Sequence, residues 1–345
     1  MPGLRLTVLI GALLPGGGAL AQTPAPGSTA AQAQPAALAP VVSETLAVQV
    51  MLDRAGFSSG EIDGRPGANV RRALTAFQNV HGLTPSGKPD EATWQALRER
   101  VGTQSPLVEY LTTDADVAGP FAPTLPKDLM QQAKLEALSY RTALEALAER
   151  VHASPQLLRT LNPGATFASA GERLQVPNVE IAAAVTPQTP APAAVATSGA
   201  AAAKPPPAPK VTIFVTKSTS ALTVEDESGS VIFHAPVTTG SGRDPLPIGK
   251  WKVNGVQRNP SFQYNPDLFW DADPKHSKAK IAAGPNNPVG VAWIDISKPH
   301  YGIHGTPEPS RIGHVESHGC VRLTNWDVQR VAQWARPGTP VVFRK

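Results

Sequence analysis

The sequence predicts a multidomain protein. A mainly β domain, a β-sandwich with one clear helix, follows a small three-helix domain and a small α+β unit of βααβ order. Three observations carry this reading. Two stretches, 22–40 with 7 Ala and 4 Pro and 182–210 with 12 Ala and 7 Pro, hold almost nothing large enough to bury and favour extended spacing. Between them, apolar residues recur at helical intervals. After Lys210 the pattern changes to short β-branched and aromatic runs separated by turns. The 345 residues allow two or three domains at ~100–200 residues each. The 36 prolines, about twice the average share of ~5 %, mark linkers rather than one compact body.

The first 21 residues read as a cleavable export signal. Arg5 gives a positive start, Leu6 to Leu14 a short apolar run, and Ala19-Leu20-Ala21 a small-x-small site before Gln22. The run is too short to anchor in a bilayer, and no later segment has 18 uncharged apolar residues. An exported protein, periplasmic or wall-associated and without stable membrane insertion, is expected. The charge balance, 31 Lys plus Arg against 27 Asp plus Glu for a net +4, is too even for a nucleic-acid binder. Residues 211–345 carry 15 basic and 11 acidic side chains, a mild excess that suits an anionic substrate.

Residues 41–101 read as three short helices. Asn69 can cap a helix with Val70, Ala73, Leu74, Phe77 and Val80 on its apolar stripe, closed by Gly82. Asp90 can cap the next, turning Trp94, Leu97 and Val101 inward. Residues 102–134, with Pro106, Pro120, Pro123 and Pro126, read as a further linker. Residues 135–178 read as βααβ. Thr142-Ala143-Leu144-Glu145 is a capping box, Ser154-Pro155 opens a second helix, Asn162-Pro163-Gly164 stops it, and Leu174-Gln175-Val176-Pro177 is a strand.

From Lys210 onward the β runs are 211–215, 221–224, 231–233, 251–253, 291–296 and 341–343. The one helix spans about Trp326 to Ala335, with Asn325 as its cap. Within this domain lies the one cysteine of the chain, Cys320, which rules out an internal disulfide and any multi-Cys metal site. A lone thiol in an oxidising compartment is a liability unless it is deeply buried or does chemistry. Three histidines, His304, His314 and His318, precede it within sixteen residues. Three readings of this cluster stay open on the residues alone. Cys320 could be a buried structural residue. His314 and His318 with Cys320 could imitate zinc ligands, although a Gly- and Pro-rich segment presents that spacing poorly. Or a thiol and an imidazole could form a nucleophile–base pair. In the last reading the N–H groups of Gly319 and Cys320 could face one oxyanion.

Three stretches resemble known families. Asp63-Gly64, Phe77-Gln78 and Asp90-Glu91-Ala92-Thr93-Trp94 resemble the peptidoglycan-binding-domain-1 family, with Pro66 and Asn69 where an aromatic and a Thr are more usual. Ala146-Leu147-Ala148-Glu149-Arg150 is not the whole of the second likeness: with Leu161-Asn162-Pro163 and Leu174-Gln175-Val176-Pro177 it resembles a LysM domain, the usual Gly-Asp-Thr opening being replaced by Tyr140-Arg141-Thr142. His304-Gly305-Thr306 followed by Ser317-His318-Gly319-Cys320-Val321-Arg322 resembles the signature of the YkuD-type L,D-transpeptidase catalytic domain. That likeness extends over about 211–344 through Pro247-Ile248-Gly249, Asn287-Pro288-Val289-Gly290, Asn325 and Gly338-Thr339-Pro340-Val341, with Leu246 where Thr often stands.

The last resemblance implies a cysteine enzyme that attacks the bond between the third residue, a diaminoacid, and the D-Ala of a peptidoglycan stem tetrapeptide. Cys320 would be the nucleophile and His304 the proton donor and acceptor, oriented by the carbonyl of Gly305. Ser317, His318 and Gly319 would shape the pocket and oxyanion hole, and Arg322 would hold the loop or a substrate carboxylate. His314 has no matching role. No metal or organic cofactor is implied. Peptidoglycan is the implied partner, its stems as substrate and its glycan through the N-terminal modules. Capture of the thioester by water, by a lipoprotein amine or by another stem uses the same pair, and a catalytically idle wall-binding scaffold is the rival from another class. The linker 182–210 is expected to decouple the N-terminal modules from the catalytic domain.

Overall fold

The computed structural model describes residues 42–180 and 210–345. The expected export signal, the 22–40 linker and the 182–210 linker apart from Lys210 lie outside the described residues.

Three helices open the described chain. Ser43 caps α1 (Glu44–Arg54), its Oγ accepting from the Leu46 N–H at 3.1 Å. Next comes α2 (Ala68–Val80), then α3 (Glu91–Val101), capped by the Asp90 carboxylate accepting from Thr93 N–H at 2.9 Å. They bury Val48, Leu52, Phe57, Leu74, Phe77 and Leu97 together, and Phe57 meets Phe77 edge-on at 5.3 Å. Buried Gln78 fixes the turn that follows. Its Oε1 accepts from Gly87 N–H, and its Nε2 donates to Lys88 O and Thr93 Oγ1. Two details differ from the sequence expectation. Val80 ends the helix exposed. Asn69 is not the cap: α2 starts after Gly67 without a side-chain cap, and the Asn69 amide donates to Ile312 O at 2.9 Å in the C-terminal domain. A side chain held in a tertiary contact cannot fold back on its own helix end.

The α+β unit also differs in its first strand. That strand is β1 (Leu107–Leu111), inside the stretch read as a linker, and not part of 135–141. Two four-residue helices, α4 (Asp114–Val117) and α5 (Leu129–Gln132), lie in the excursion that follows. Then come α6 (Ala143–Arg150), capped by Thr142, and α7 (Pro155–Leu161), capped by Ser154 with Pro155 at its first position. β2 (Arg173–Pro177) pairs antiparallel with β1, Leu107 opposite Pro177. The backbone of 138–141 is engaged elsewhere: Leu138 N–H donates to Ala283 O, Tyr140 O accepts from Ala122 N–H, and the Arg141 N–H donates to Glu145. The core of this unit takes Leu46, Val50 and Ile62 from the helical module. The two modules therefore share one interior.

The C-terminal domain is mainly β with one α-helix. Its strands are β3 (Val211–Thr216), β4 (Ala221–Asp226), β5 (Val231–Pro236), β6 (Gly249–Arg258), β7 (Phe262–Tyr264), β8 (Ala279–Ile281), β9 (Ala292–Ile296), β10 (Gly302–His304), β11 (Val321–Arg322) and β12 (Pro340–Arg344); α8 (Asn325–Trp334) precedes β12. Eight strands run in the order β11-β10-β9-β6-β12-β3-β4-β5. The long β6 joins two halves: its first residues pair with β12 and its last with β9, with a register shift between Val253 and Gly255. Ile213, Leu222 and Phe233 from one half meet Ile294, Ile303 and Val321 from the other, with Val328 and Val331 of α8, in one core. Leu246, the departure from the family pattern, is buried in that core. α8 begins one residue earlier than the sequence suggests. Thr324 caps it by accepting from Asp327 N–H at 3.1 Å, and Asn325 is turned inward. β7 and β8 form a separate hairpin that encloses Leu138 of the N-terminal half, beside Tyr264 and Ile281.

The N-terminal modules are not decoupled. The described residues, 42–180 and 210–345, belong to one compact unit. Ser58 N–H donates to His234 O and His234 N–H to Gly56 O, both at 2.8 Å, so the helical module continues the ladder beyond the edge strand β5. Behind this seam lies Asp53. Its carboxylate meets Arg330 of α8 at 2.8 Å and His152 of the α+β unit at 3.1 Å, and His152 stacks on Trp326 at 5.3 Å. Burial pushes the Asp53 carboxyl up, but His152 and Arg330 outweigh it and hold it well below the usual carboxylate range. Composition at 182–210 describes only the tether and says nothing about whether its two flanks dock.

Removing one partner of a buried ion pair leaves the others uncompensated, at about 3–5 kcal/mol. Asp53→Ala should lower the unfolding free energy of the whole chain by that much, seen as a lower urea midpoint at unchanged slope in a single transition followed by tryptophan fluorescence. An unchanged midpoint, or a C-terminal domain that melts independently of the substitution, would refute the shared stability.

Candidate active site

Two short strands bring the motif together. β10 and β11 pair in parallel, Ile303 opposite Val321 and His304 opposite Arg322. Ile303 and Val321 point into the core and are fully buried. By alternation, His304, Arg322 and Cys320, the residue just ahead of β11, share the other face. His304 and Cys320 are thus two register steps apart on neighbouring strands, with Arg322 beside both.

His304 is fixed on three sides. Its Nδ1 lies 2.7 Å from Gly305 O, which places the proton on Nδ1 and leaves Nε2 as the base. Trp293, its register partner on β9, stacks on the ring at 5.3 Å and 17°. Behind Gly305 stands the buried Asn325, whose Oδ1 accepts from Val291 N–H at 3.2 Å. A Cβ on Gly305 would come within 2.3 Å of that oxygen. Burial and then the Arg322 guanidinium pull His304 down to about 3. The imidazole is neutral throughout the physiological range.

Cys320 is half-buried, with its thiol toward His300 O at 3.8 Å. Burial pushes the thiol up from its usual value, against the lowering influence of the Gly302 N–H and Arg322. The structure therefore holds a neutral thiol and a neutral imidazole on the same sheet face. The imidazolium that would lower a neighbouring thiol is absent from the resting pair.

Ser317 braces the turn. Its Oγ donates to Cys320 O at 2.6 Å and accepts from Gly319 N–H at 3.2 Å. The Gly319 N–H is thereby engaged inside the loop and does not stand open for an oxyanion. Ser317 N–H and O are held by Thr239 and Ser241, and Arg322 exchanges two backbone bonds with Thr238, so the segment 238–241 runs alongside 317–322. Gly319 sits at φ +106°, and a Cβ there would lie 2.7 Å from the Tyr301 ring. His318 faces the other side of the turn. Its Nε2 meets Asp271 at 2.8 Å, and Phe269 and Trp270 pack against its ring. Arg243 in turn lies over Trp270 at 4.4 Å. Arg322 Nε is buried without a hydrogen-bond partner among the described residues. His314 is exposed on the preceding loop. His314, His318 and Cys320 do not converge, and no group of three His, Cys, Asp or Glu fit to hold a metal occurs among the described residues.

Several site residues escape the sequence reading. Trp293 is one register step from His304 but eleven residues away in sequence. Asp271 and Trp270 come from the β7–β8 hairpin, and nothing near them in the sequence marks them as partners of His318. Tyr301 had a local signal, since an aromatic just before Gly302-Ile303-His304 must lie close to the active strand.

This mainly β domain, with its Cys, His and Arg on one sheet face, has counterparts among known proteins. Residues 210–343 match the family of the L,D-transpeptidase catalytic domain, and residues 42–97 match a family described as "Putative peptidoglycan binding domain". The chain thus carries an L,D-transpeptidase catalytic domain behind a domain of the peptidoglycan-binding type. It is 44 % identical over 61 residues to "Putative L,D-transpeptidase YkuD" of Bacillus subtilis, covering 18 % of this chain and 37 % of the relative. It is 31 % identical over 113 residues to "Putative L,D-transpeptidase YqjB" of the same organism, covering 31 % and 56 %. The chain therefore spans between about a third and about half the length of these curated relatives. A solved L,D-transpeptidase from Mycobacterium smegmatis aligns at 17 % identity and TM-score 0.33, over 40 % of this chain and 59 % of that one. No helix of the described residues is long and apolar enough to cross a membrane.

The turn makes a direct prediction. Gly319→Ala meets both the left-handed backbone and the Tyr301 wall. Reaction of Cys320 with an acylating β-lactam should fall at least about tenfold, given the ~1–3 kcal/mol cost of such strain. Adding Tyr301→Ala removes the wall but not the φ, so recovery should be partial. Full recovery in the double variant would show that the backbone conformation is irrelevant.

Proposed function

We propose that the chain is a peptidoglycan L,D-transpeptidase working through an acyl-enzyme on Cys320. One observation supports this above the others: His304 on β10 pairs with Arg322 of β11, just ahead of which Cys320 stands, and His304 Nδ1 is tied to Gly305 O so that Nε2 is free. The substrate is a stem tetrapeptide, cut between its diaminoacid and D-Ala.

In the first half-reaction Sγ attacks the carbonyl of the diaminoacid while His304 Nε2 takes the thiol proton. Because the resting pair is neutral, this proton transfer accompanies attack instead of preceding it. The tetrahedral oxygen is assigned to the backbone N–H groups of Cys320 and Gly319, the latter exchanging its 3.2 Å bond to Ser317. Collapse breaks the C–N bond, His304 returns the proton to the D-Ala amine, and a thioester remains. In the second half-reaction the side-chain amine of a neighbouring stem attacks the thioester. His304 takes its proton and restores it to the departing sulfur, giving a 3→3 crosslink. Arg322, with its unpartnered Nε, is assigned to a substrate carboxylate, and His318 with Trp270 to the rim of the cleft. The helical module, and the α+β unit as a LysM-type module, are assigned to retention on the glycan after export, the mature chain starting at Gln22.

The test is incubation with tetrapeptide stems and mass analysis of enzyme and products. Wild type should carry a tripeptidyl adduct on Cys320 and release crosslinked stems. Cys320→Ala should carry none, and His304→Ala should acylate ~10²–10⁴-fold more slowly. EDTA should change neither rate. Free tripeptide as the sole product would make the enzyme an L,D-carboxypeptidase. An adduct persisting in Cys320→Ala, or loss of activity on chelation, would overturn the mechanism.

A further inference from the structure

Asn325 lies against Gly305 with its Oδ1, and one of the two acceptors of its Nδ2 comes from outside the catalytic domain. It donates to Pro285 O at 3.1 Å and to Glu149 Oε2 at 2.9 Å. Glu149 belongs to α6 of the α+β unit and lies 176 residues earlier in the chain. Its other oxygen accepts from Tyr140 Oη at 2.7 Å. A continuous row of contacts therefore runs from Tyr140 through Glu149 and Asn325 to Gly305, the residue whose carbonyl meets His304 Nδ1.

We propose that Glu149 is a positioning residue for acyl transfer: the α+β unit completes the support of His304 through Asn325. The claim rests on the transpeptidase reading of the site. A primary amide has two donors and one acceptor to align at once. With Oδ1 between Val291 N–H and Gly305, the rotation of Asn325 is set by what its Nδ2 meets. Pro285 O takes one hydrogen and the Glu149 carboxylate takes the other. Without Glu149 one buried donor is orphaned, and the amide is free to rotate away from Gly305. A small displacement of a catalytic base is costly in rate even when it is remote from substrate binding.

The protonation state of Glu149 belongs to the same device. Burial raises its carboxyl to about 7, against the hydrogen bonds from Asn325 and Tyr140 that favour the charged form, and Glu145 one turn earlier raises it further. The groups facing it are Tyr140 from the preceding loop, Asn325 from α8 and Glu145 on its own helix; Arg150 beside it is paired with Asp116. Above about 7 the carboxylate accepts from both neighbours. Below it, one oxygen carries a proton and competes as a donor, so the grip on Asn325 weakens. His304 is already neutral from about 3 upward and does not titrate in this window.

The experiment uses the full mature chain and follows single-turnover D-Ala release from a tetrapeptide stem between pH 5 and 8. Wild type should slow as the pH falls through about 7. Glu149→Gln cannot titrate and, like the protonated acid, offers one acceptor and one donor, so its rate should stay flat from pH 5 to 8 at about the wild-type low-pH level. Glu149→Leu should lower the maximal acylation rate about tenfold with the half-saturating substrate concentration unchanged. Tyr140→Phe, which keeps the fold contact but removes the donor, should give a smaller loss in the same direction. The ¹⁵N signal of His304 reports the Nδ1–H tautomer without turnover; it should be a single tautomer in wild type at pH 8 and a mixture in Glu149→Leu. Equal rates in wild type and Glu149→Leu, or the wild-type pH step persisting in Glu149→Gln, would overturn the proposal. If Glu149→Leu fails to fold, the Gln and Phe variants decide. If wild type shows no turnover, the acyl-transfer reading falls, while the histidine signal still decides whether Glu149 positions the ring.

Discussion

The site depends on a parallel pairing only two residues long. Ile303 opposite Val321 and His304 opposite Arg322 set Cys320, His304 and Arg322 on one face. So short a ladder is marginal by itself. It persists because alternation drives Ile303, Val321 and Leu323 into the fully buried core on the other side, where a slip of one residue would eject all of them. The same alternation that makes the core therefore fixes which residues meet at the surface. Chemistry and packing are opposite faces of one register.

The second constraint is that three sequence modules form one interior. Apolar contact joins the helical and α+β modules, but polar groups specify how they meet the β domain. Asp53 pairs at once with Arg330 and His152, Ser58 donates to Asp327 at 3.0 Å, and Asn69 reaches Ile312. A misdocked arrangement would leave several of these buried charges without partners, a cost of several kcal/mol per ion. Ile312 lies on the loop leading to Ser317, and Trp326 and Arg330 lie on the helix that begins with Asn325. The docked modules consequently grip both ends of the catalytic motif.

What the sequence disclosed was what is local. Thr142, Ser154 and Asp90 cap the helices they precede, because a cap needs only the next three residues. The runs at 211–215, 221–224, 231–233 and 291–296 are strands because their alternation is dense enough to read. The motif itself was legible as a cluster of reactive residue types. Hidden from the sequence were contacts whose partners are far apart: Asn69 with Ile312, Asp53 with Arg330, His318 with Asp271. β1 lies in a stretch that reads as linker because five residues beside Pro106 carry too little pattern, and β10 and β11 are shorter still. Asn325 looked like a cap since its residue type favours one, yet Thr324 occupies that role and Asn325 packs under Gly305. Residue preference identifies candidates for a cap, and the tertiary demand on each side chain decides between them.

The glycines of the motif make the same point in the opposite direction. From the sequence, Gly319 reads as a place where backbone approaches substrate. The structure supplies a nearer reason: the Tyr301 ring occupies the space a Cβ would need. At Gly305 and Gly290 the obstructing atom is one and the same, Asn325 Oδ1, at 2.3 and 2.1 Å from the respective Cβ positions. Two backbone segments from different parts of the chain thus close on one amide oxygen. Hydrogen bonds alone would leave that amide able to swing, and steric closure alone would leave its hydrogens unpaired. Together they leave little room for the backbone at Gly305, whose carbonyl lies 2.7 Å from His304 Nδ1.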